Sequence, residues 1–207
     1  MSQVIEKVRI RKLGRVDYGP TLRAMRDFTL RRTEDTEDEI WLVEHPPVYT
    51  LGQGAPAAAV QNGIPVLRSD RGGEITYHGP GQIVLYALVD LARRGIKVKR
   101  FVWLLEQAVI DLLGAHSCTR CERRPGAPGV YVDGAKVAAL GIRVARGRAY
   151  HGLALNVDMD LAPFAAIDPC GYPGLAVTQL KDLGFTQSRD FFGSRLVNIF
   201  LKNLEHA

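Results

Sequence analysis

The spacing of apolar residues divides the chain into segments with strand or helix periodicity. Alternation over residues 4–12 predicts a half-exposed strand, and short apolar runs predict further strands at residues 40–44, 48–51, 65–68 and 83–91. Helical spacing predicts amphipathic helices that begin near Tyr18, near Phe101 and near Asp190, and a weaker helical pattern covers residues 178–183. Strands and helices therefore alternate along the chain.

The clearest local signal is a β-hairpin in the second half of the chain. Asp133 and Gly134 separate two runs with strand periodicity over residues 129–144, and Asp-Gly is a favoured turn between paired strands. A second turn at residues 146–148 leads into another strand, residues 149–157. Three consecutive strands are therefore predicted to form a meander.

A glycine-rich stretch, residues 71–82, lies between two predicted strands. Phosphate-binding glycine loops usually precede a helix whose N-terminus faces the anion, but a strand follows here. Neither the dinucleotide-binding spacing nor the P-loop spacing is present. We therefore predict a loop whose backbone amides form a wall around an elongated substrate.

Length and composition favour one globular domain. A chain of 207 residues, 46% hydrophobic and 24% charged, can bury a sizeable core, and we expect one domain over residues 1–207 rather than two small lobes. No apolar run approaches the roughly 18 residues that span a bilayer, and the first residues lack a signal peptide's apolar core. We expect a cytoplasmic protein without a membrane partner. Three cysteines favour reduced thiols over a disulfide framework.

The net charge of +5 favours acidic partners, which could be nucleic acid, an acidic protein or an anionic cofactor. Basic residues occur in short clusters spread along the chain, with no basic tail or long basic run. The charge fits a solvated surface or a docking surface for an acidic protein better than it fits nucleic acid. We therefore expect no nucleic-acid partner.

One cysteine lies in a segment that favours tight turns, Asp168-Pro-Cys170-Gly-Tyr-Pro-Gly174. Proline fixes φ and removes an amide donor, whereas glycine permits positive φ and close approach, so Cys170 is predicted to lie in a constrained, accessible loop. An accessible thiol in such a loop is a candidate nucleophile. The alternative is a buried structural cysteine, because free cysteine is among the most buried residue types.

A lysine on the second strand of the hairpin could act on that thiol. A period of two places Lys136 on one face with the apolar residues at alternate positions 138–144. An ammonium that points into this face would be desolvated, which lowers the pKa of the lysine and makes it a proton carrier. The alternative is a lysine that extends to water from the strand end. Because a nearby ammonium stabilises a thiolate, we predict Cys170 and Lys136 as a nucleophile and its base.

Histidines and the other cysteines offer competing chemistry. His78 and His151 are alternative partners for a Cys/His dyad, although isolated histidines are often structural or contact substrate. His116, Cys118 and Cys121 form a His-x-Cys-x-x-Cys pattern that resembles part of a zinc site. Structural zinc needs four protein ligands, and no second pair follows at the usual spacing, so we predict no metal.

Four motifs occur in order along the chain: Arg71-Gly-Gly-Glu-Ile-Thr-Tyr-His78-Gly-Pro-Gly-Gln82, Gly129-Val-Tyr-Val with Lys136 and Leu140-Gly141 following, His151-Gly-Leu-Ala-Leu-Asn156, and Asp168-Pro-Cys170-Gly-Tyr172. In these motifs the sequence closely resembles the lipoyl(octanoyl) transferases, the octanoyl-acyl-carrier-protein:protein N-octanoyltransferases of lipoate biosynthesis. The resemblance spans about residues 41–180. Residues 118–124 depart from the family pattern, which leaves that loop without an assigned role.

The resemblance implies an acyltransferase in which Cys170 accepts an octanoyl or lipoyl group as a thioester and Lys136 lowers the pKa of its thiol. The implied donor is acyl carrier protein, the implied acceptors are lipoyl domains of 2-oxoacid dehydrogenases and the glycine cleavage H protein, and no cofactor is implied. The implied substrate-binding residues are Arg71, Gly72, Gly73, Glu74, Ile75, Thr76, Tyr77, His78, Ala139, Leu140, Gly141, Gly152, Leu153 and Ala154. The family fold is α+β, a mixed, largely antiparallel sheet flanked by helices, as in the catalytic domains of biotin and lipoate protein ligases.

Two rival functions stay open at the level of sequence. An ATP-dependent lipoate-protein ligase on the same fold would form an adenylate and would not need the thiol. A non-enzymatic basic binding module would bind nucleic acid in a salt-dependent manner and would carry an unreactive thiol.

Overall fold

A seven-stranded sheet forms the centre of the protein, and a three-stranded sheet accompanies it. The computed structural model describes residues 8–56, 60, 62–116, 118, 120–167 and 174–207. The strands are β1 (Val8–Arg15), β2 (Asp38–Glu44), β3 (Val48–Leu51), β4 (Val66–Arg68), β5 (Ile75–His78), β6 (Gln82–Asp90), β7 (Cys121–Glu122), β8 (Gly129–Val132), β9 (Ala135–Ala145) and β10 (Arg148–Asn156). The helices are α1 (Tyr18–Arg31), α2 (Leu91–Arg94), α3 (Val98–Gly114) and α4 (Arg189–Glu205), with short 3-10 helices at Ala162–Ala166 and Lys181–Leu183.

The strand order in the large sheet is β1-β2-β6-β10-β9-β8-β7. β1 runs parallel to β2, and the remaining neighbours in this order are antiparallel. In the small sheet β3 lies between β4, to which it is parallel, and β5, to which it is antiparallel. The predicted α+β class, with a mixed and largely antiparallel sheet flanked by helices, is confirmed.

Helices cover both faces of the large sheet. On one face α3 and α4 pack together, and the rings of Phe101 and Phe200 meet edge to face with centroids 6.0 Å apart. On the other face α1 contributes Tyr18, Leu22 and Met25 to a second apolar cluster. Because both faces are covered, β6 is buried along its whole length, which explains the nearly continuous apolar run that predicted it. No helix in the described ranges is both long and apolar enough to cross a membrane.

The edge strand β1 is strongly basic. Four of its eight residues are arginine or lysine. Ion pairs join Arg9 to Glu37, Arg11 to Glu39 and Arg15 to Glu44. These acidic residues lie in β2 or just before it, so charge pairing adds to the backbone ladder between the two parallel strands.

Predictions that depend only on neighbouring residues agree with the structure, whereas segments that pair with distant residues differ from prediction. The predicted meander is confirmed as β8, β9 and β10. The glycine-rich stretch, predicted as a loop, contains β5, because this segment pairs with the distant strand β3. The helical pattern at residues 178–183 yields only a three-residue 3-10 helix, since Thr178 pairs with the main chain of Lys136 instead. The short α2 was not predicted, and residues 4–7 of the predicted first strand lie outside the described ranges.

The close approach of β10 to β6 gives a test of the fold. A Cβ atom at Gly152 would lie 2.1 Å from the carbonyl oxygen of Leu85, so Gly152→Ala forces two buried strands apart. We expect this change to lower the free energy of unfolding by about 1–3 kcal/mol or more. The matched control is Gly114→Ala at the end of α3, where a Cβ meets nothing within 4 Å and helix propensity favours alanine. Denaturant titration of both variants checks this, and equal stabilities would contradict it.

Candidate active site

An apolar cavity of about 730 Å³, with its open mouth included, is lined by residues of both sheets and of α1. A volume of this order suits a small-molecule substrate. The lining residues are Tyr18, Arg71, Gly73, Glu74, Ile75, Thr76, His78, Gln82, Val84, Tyr86, Lys136, Ala139, Leu140, Gly141, His151, Gly152, Leu153, Ala154, Asn156, Phe164 and Val177.

The cavity brings together residues from three of the four sequence motifs. Of the implied substrate-binding residues, those that line it are Arg71, Gly73, Glu74, Ile75, Thr76, His78, Ala139, Leu140, Gly141, Gly152, Leu153 and Ala154. Gly72 and Tyr77 do not line it. Gly72 donates its backbone N–H to the carbonyl of Ile142 at 2.9 Å, and Tyr77 packs against the rings of Tyr49 and Phe164. That these residues bind substrate stays a prediction.

A β-bulge in β9 determines where Lys136 points. Opposite β8, one extra residue, Val137, lies between the paired positions of Lys136 and Ala138. The bulge interrupts the alternation of side chains, so Lys136 lines the cavity together with Ala139 and Gly141, whereas Val137 and Ala138 belong to the apolar core. The prediction that Lys136 shares a face with Ala138 is wrong for this reason, although Leu140, another residue of the predicted face, lines the cavity with Lys136.

The main chain of Lys136 is held from both sides. On one side it pairs with Tyr131 of β8. On the other, its N–H donates to the carbonyl of Ala176 at 2.8 Å, and its own carbonyl accepts from the N–H of Thr178 at 2.9 Å. Only 3% of Lys136 is exposed, and its Nζ lies 3.4 Å from the carbonyl oxygen of Pro128 and 5.1 Å from the centroid of the Tyr131 ring. A carbonyl and an aromatic face both favour a positive charge at this position.

Cys170 lies outside the described residues, together with the rest of residues 168–173. The described residues on either side of this segment return to the cavity, because Phe164 and Val177 both line it. The predicted approach of the Cys170 thiol to Lys136 therefore stays a prediction.

The stretch that begins at Arg71 crosses β9 at close range. Besides the bond from Gly72 to Ile142, a Cβ atom at Gly141 would lie 2.8 Å from the carbonyl oxygen of Gly72, so only glycine fits there without a shift. The buried guanidinium of Arg71 donates to the carbonyl oxygen of Thr50 at 2.6 Å and to its hydroxyl at 2.9 Å. One wall of the cavity is thus fixed by main-chain contacts.

A chain of buried hydrogen bonds connects His78 with Lys136. The Nδ1 atom of His78 lies 2.8 Å from Oε1 of Gln82, Nε2 of Gln82 donates to Oδ1 of Asn156 at 2.9 Å, and Nδ2 of Asn156 donates to the carbonyl of Thr178 at 3.0 Å. Thr178 in turn donates to Lys136. Burial lowers the pKa of His78 to about 3, so the imidazole is neutral at pH 7 and donates from Nδ1 to the Gln82 carbonyl.

A second buried histidine, His151, is paired with a carboxylate. Its Nε2 lies 2.8 Å from Oδ1 of Asp70. The other carboxylate oxygen, Oδ2, accepts from the hydroxyl of Tyr150 at 2.6 Å and from Nε of Arg26 at 2.8 Å. Burial acts to raise the pKa of Asp70, but these three hydrogen bonds outweigh it and hold the pKa well below its usual range. Burial lowers the pKa of His151 in spite of Asp70. The neutral imidazole therefore donates from Nε2 to Asp70.

The remaining thiols lie apart from the cavity. The sulfur atoms of Cys118 and Cys121 are 3.7 Å apart, and burial raises the pKa of Cys121 to about 12, so this thiol stays protonated. The ring of His116 packs edge-on against Phe185 and Phe192. Within the described ranges, no group of three or more His, Cys, Asp or Glu side chains is arranged to hold a metal ion.

Sequence reasoning assigned no cavity role to seven of the lining residues: Tyr18, Gln82, Val84, Tyr86, Asn156, Phe164 and Val177. Tyr18 was identified only as part of the apolar stripe of α1. Gln82 and Asn156 each end a sequence motif, and a polar side chain at the end of a strongly apolar strand was the available signal. Phe164 and Val177 have no comparable signal, because they reach the cavity through tertiary contacts.

The neutral state of His78 makes stability depend on pH. The pKa of this residue falls from its ordinary value of 6.5 to about 3, so between these values an unfolded chain binds a proton that the folded protein does not. The free energy of unfolding therefore decreases as the pH falls through this window, by at most about 1.4 kcal/mol per pH unit for one group. We expect His78→Gln to flatten the dependence in urea titrations between about pH 4 and 6. His45 and His151, whose pKa values are also lowered, still titrate in the variant. An unchanged slope would refute the assignment.

Comparison with known proteins agrees with the sequence motifs. Residues 19–201 match the family model described as the lipoyl protein ligase A/B catalytic domain. The chain is similar to the octanoyltransferase of Aromatoleum aromaticum, with 60% identity over 190 residues, 91% of this chain and 82% of the relative.

Solved structures share the fold at low sequence identity. Lipoate-protein ligase A bound with ATP has a TM-score of 0.77 at 15% identity and covers 96% of this chain and 85% of its own. Biotin protein ligase from Aquifex aeolicus has a TM-score of 0.57 at 12% identity and covers 95% of this chain and 68% of its own. Likeness at such low identity shows only a shared fold, whereas the family model and the 60% identity show membership of a family. The chain belongs to the lipoyl protein ligase A/B catalytic-domain family and, within it, to the octanoyltransferases.

Proposed function

We propose that this protein transfers an octanoyl group from the thioester of acyl carrier protein to a lysine of a lipoyl domain, through a thioester on Cys170. The observation that carries the proposal is the placement of a buried lysine, Lys136, in the wall of an apolar cavity. An apolar cavity suits a hydrocarbon tail, and a buried amine beside it suits proton transfer at the carbonyl end. Membership of the octanoyltransferases supports the identity of the acyl group.

Chain connectivity supports a meeting of Cys170 with Lys136. Ala176, whose carbonyl binds the N–H of Lys136, follows Cys170 by six positions (176 minus 170). Phe164, in the cavity wall, precedes Cys170 by six positions (170 minus 164). Described residues on both sides of Cys170 thus contact Lys136 or line the cavity, which supports the proposed meeting of the thiol with the lysine.

The first half-reaction forms the acyl-enzyme. Lys136 holds the proton of the Cys170 thiol as an ammonium, and the thiolate that this leaves attacks the carbonyl carbon of the octanoyl thioester. As the tetrahedral intermediate collapses, the bond to the carrier's sulfur breaks and Lys136 returns the proton to that sulfur. Backbone amides near residues 137–141 or at Gly171 would stabilise the oxyanion. The N–H of Lys136 is not one of them, since it already donates to Ala176.

The second half-reaction releases the product. The amine of the acceptor lysine attacks the acyl-enzyme, an amide bond forms, and the bond to the Cys170 sulfur breaks. Lys136 takes the proton that the attacking nitrogen loses, and the cysteine thiolate is regenerated. Exchange of one thioester for another is nearly isoenergetic and conversion of a thioester to an amide is downhill, so the reaction needs no ATP.

The basic surface fits acidic protein partners. Acyl carrier protein as donor, and lipoyl domains of 2-oxoacid dehydrogenases or the glycine cleavage H protein as acceptors, would meet a chain of net charge +5. Complementary charge accelerates encounter and makes the rate depend on ionic strength.

The acyl-enzyme is directly testable. Incubation with octanoyl acyl carrier protein in the absence of an acceptor should add the mass of one octanoyl group, and Cys170→Ala should abolish this adduct. Cys118→Ala and Cys121→Ala are the matched controls and should still form it, because both thiols lie outside the cavity lining. Intact-protein mass spectrometry makes the measurement. Retained transfer by Cys170→Ala with ATP and free octanoate would instead favour a ligase.

Two substitutions of Lys136 distinguish its role as a proton carrier from the effect of its positive charge. Lys136→Arg keeps the positive charge but cannot release a proton, whereas Lys136→Met removes both the charge and the ability to carry a proton. We expect both variants to lose about 10²–10⁴-fold in kcat/KM for octanoyl transfer. Alkylation of Cys170 at neutral pH should slow only in Lys136→Met, because the arginine still stabilises the thiolate. Peptide mapping follows alkylation, and near-normal transfer by Lys136→Arg would exclude proton transfer by this residue.

A further inference from the structure

A second space, which we call the hairpin groove, lies next to Lys136 and has a volume of about 1050 Å³ with its open mouth included. Its lining residues are Arg124, Pro125, Ala127, Tyr131, Gly134, Gly174, Leu175 and Ala176. In the chain Gly134 of the groove comes just before Lys136, whereas Ala139 and Gly141 of the cavity follow it. Because β9 is extended, the groove and the cavity lie in opposite directions from Lys136 along this strand.

The neighbours of Lys136 in the sheet connect the hairpin groove to the cavity. Tyr131 pairs directly with Lys136, so their side chains lie on the same face of the sheet, and Tyr131 lines the groove while Lys136 lines the cavity. On the other side, Ala176 lines the groove, and its carbonyl accepts from the N–H of Lys136. Val177, the next residue, forms a bridge with Lys136 and lines the cavity. The groove and the cavity therefore meet at Lys136 and its sheet neighbours.

Arg124 brings hydrogen-bond donors into the hairpin groove. Its Cζ lies 4.4 Å from the centroid of the Tyr131 ring, and Nζ of Lys136 lies 5.1 Å from the same point, so the two cations are at most 9.5 Å apart, the sum of these distances. Nη2 of Arg124 donates to the carbonyl of Gly134 at 3.0 Å, and Nε and Nη2 both donate to Glu122. Nη1 has no hydrogen-bond partner among the described residues, so it keeps its N–H donors for a ligand.

The proposed function requires space for the leaving group of the donor. A thioester with its acyl tail in the cavity and its carbonyl beside Lys136 continues through its sulfur in the direction away from the tail. In acyl carrier protein this sulfur belongs to a pantetheine arm, a chain with two amide groups and a branched apolar section. In extended form the two amide carbonyl carbons lie about 5 and 10 Å from the sulfur. These lengths suit a guanidinium within 9.5 Å of the Lys136 amine.

We propose that the hairpin groove binds the pantetheine arm of the donor, and that Nη1 of Arg124 donates a hydrogen bond to an amide carbonyl of this arm. The inference rests on the proposed function, because it takes the thioester carbonyl to lie beside Lys136. Pro125, Ala127 and Leu175 offer apolar surface to the branched section of the arm. The groove thus recognises the arm of the donor, whereas the cavity holds its acyl group.

The test compares two octanoyl thioesters that differ only in the arm, with an apo lipoyl domain as the acceptor. Octanoyl pantetheine presents both amides and the branched section, whereas octanoyl N-acetylcysteamine ends after the first amide. We expect kcat/KM of the wild type to be at least about ten-fold higher for octanoyl pantetheine. Arg124→Ala, and Leu175→Trp, which fills the groove, should each reduce this ratio to about three-fold or less.

Matched controls make the same substitutions outside the hairpin groove. Arg100→Ala also removes one positive charge, but Arg100 stacks on Trp103 of α3, and Leu30→Trp adds the same bulk at an exposed position of α1. Both controls should keep the wild-type ratio. Ratios taken within one preparation do not depend on the fraction of protein that is folded.

A second measurement identifies the source of the arm, because coenzyme A carries the same pantetheine chain. Leu175→Trp should lower kcat/KM about ten-fold or more for both octanoyl acyl carrier protein and octanoyl coenzyme A, since both present the arm. The wild type should prefer the carrier protein. Equal or better use of octanoyl coenzyme A would overturn the carrier protein as the source.

Two results would overturn the role of the hairpin groove: a wild type that uses octanoyl N-acetylcysteamine as well as octanoyl pantetheine, or an Arg124→Ala or Leu175→Trp variant that keeps the wild-type ratio. Absence of octanoyl transfer from every donor would instead contradict the proposed function. The two failures are therefore distinguishable.

Discussion

The position of the Lys136 main chain is the constraint on which the site depends. Strand β8 pairs with it on one side, and the segment from Ala176 to Thr178 pairs with it on the other. The β-bulge at Val137 follows directly. Each backbone hydrogen bond contributes about 1 kcal/mol, but together they leave the residue one orientation. The carbonyl of Thr178 also accepts a hydrogen bond from the side chain of Asn156, which is hydrogen-bonded in turn to Gln82. Gln82 is hydrogen-bonded to His78. The amine is thus positioned by a network that extends from one sheet to the other.

Glycines shape the cavity by letting main chains approach each other. Gly152 brings β10 against the carbonyl of Leu85, and Gly141 brings β9 against that of Gly72. A Cβ atom at either place would lie less than 3.0 Å from a carbonyl oxygen, so a side chain there would push the two elements apart. Gly141 and Gly152 also line the cavity, so the residues that allow this close packing add no side chain to its wall.

The sequence predicted those parts of the fold that depend on local pattern. Asp133 and Gly134 identify the hairpin, and the uniform apolar character of β6 follows from helices on both faces. It did not predict β5, because the pairing that makes it a strand involves distant residues. Nor did it predict the bulge at Val137, since the run from Lys136 to Ala139 has nothing that distinguishes a bulged strand from a regular one.

The same division applies to the candidate site. The motifs identified most lining residues of the cavity through resemblance, whereas Tyr18, Phe164 and Val177 reach it only through tertiary packing. The left-handed conformation of His151 in β10, with a φ of +63°, was likewise hidden, because alternation predicts that neighbouring side chains in a strand lie on opposite faces. Backbone irregularities, which leave little trace in composition, decide which side chains enter the cavity.

The basic character of β1 has a consequence for the behaviour of the protein in concentrated solution. An edge strand offers unpaired amides and carbonyls to any other extended chain, and such edges nucleate aggregation. In β1, arginine and lysine side chains surround that edge, and their ion pairs with acidic residues beside β2 leave the strand with an excess of positive charge. Like charges on two such edges oppose their pairing, and added salt weakens that repulsion.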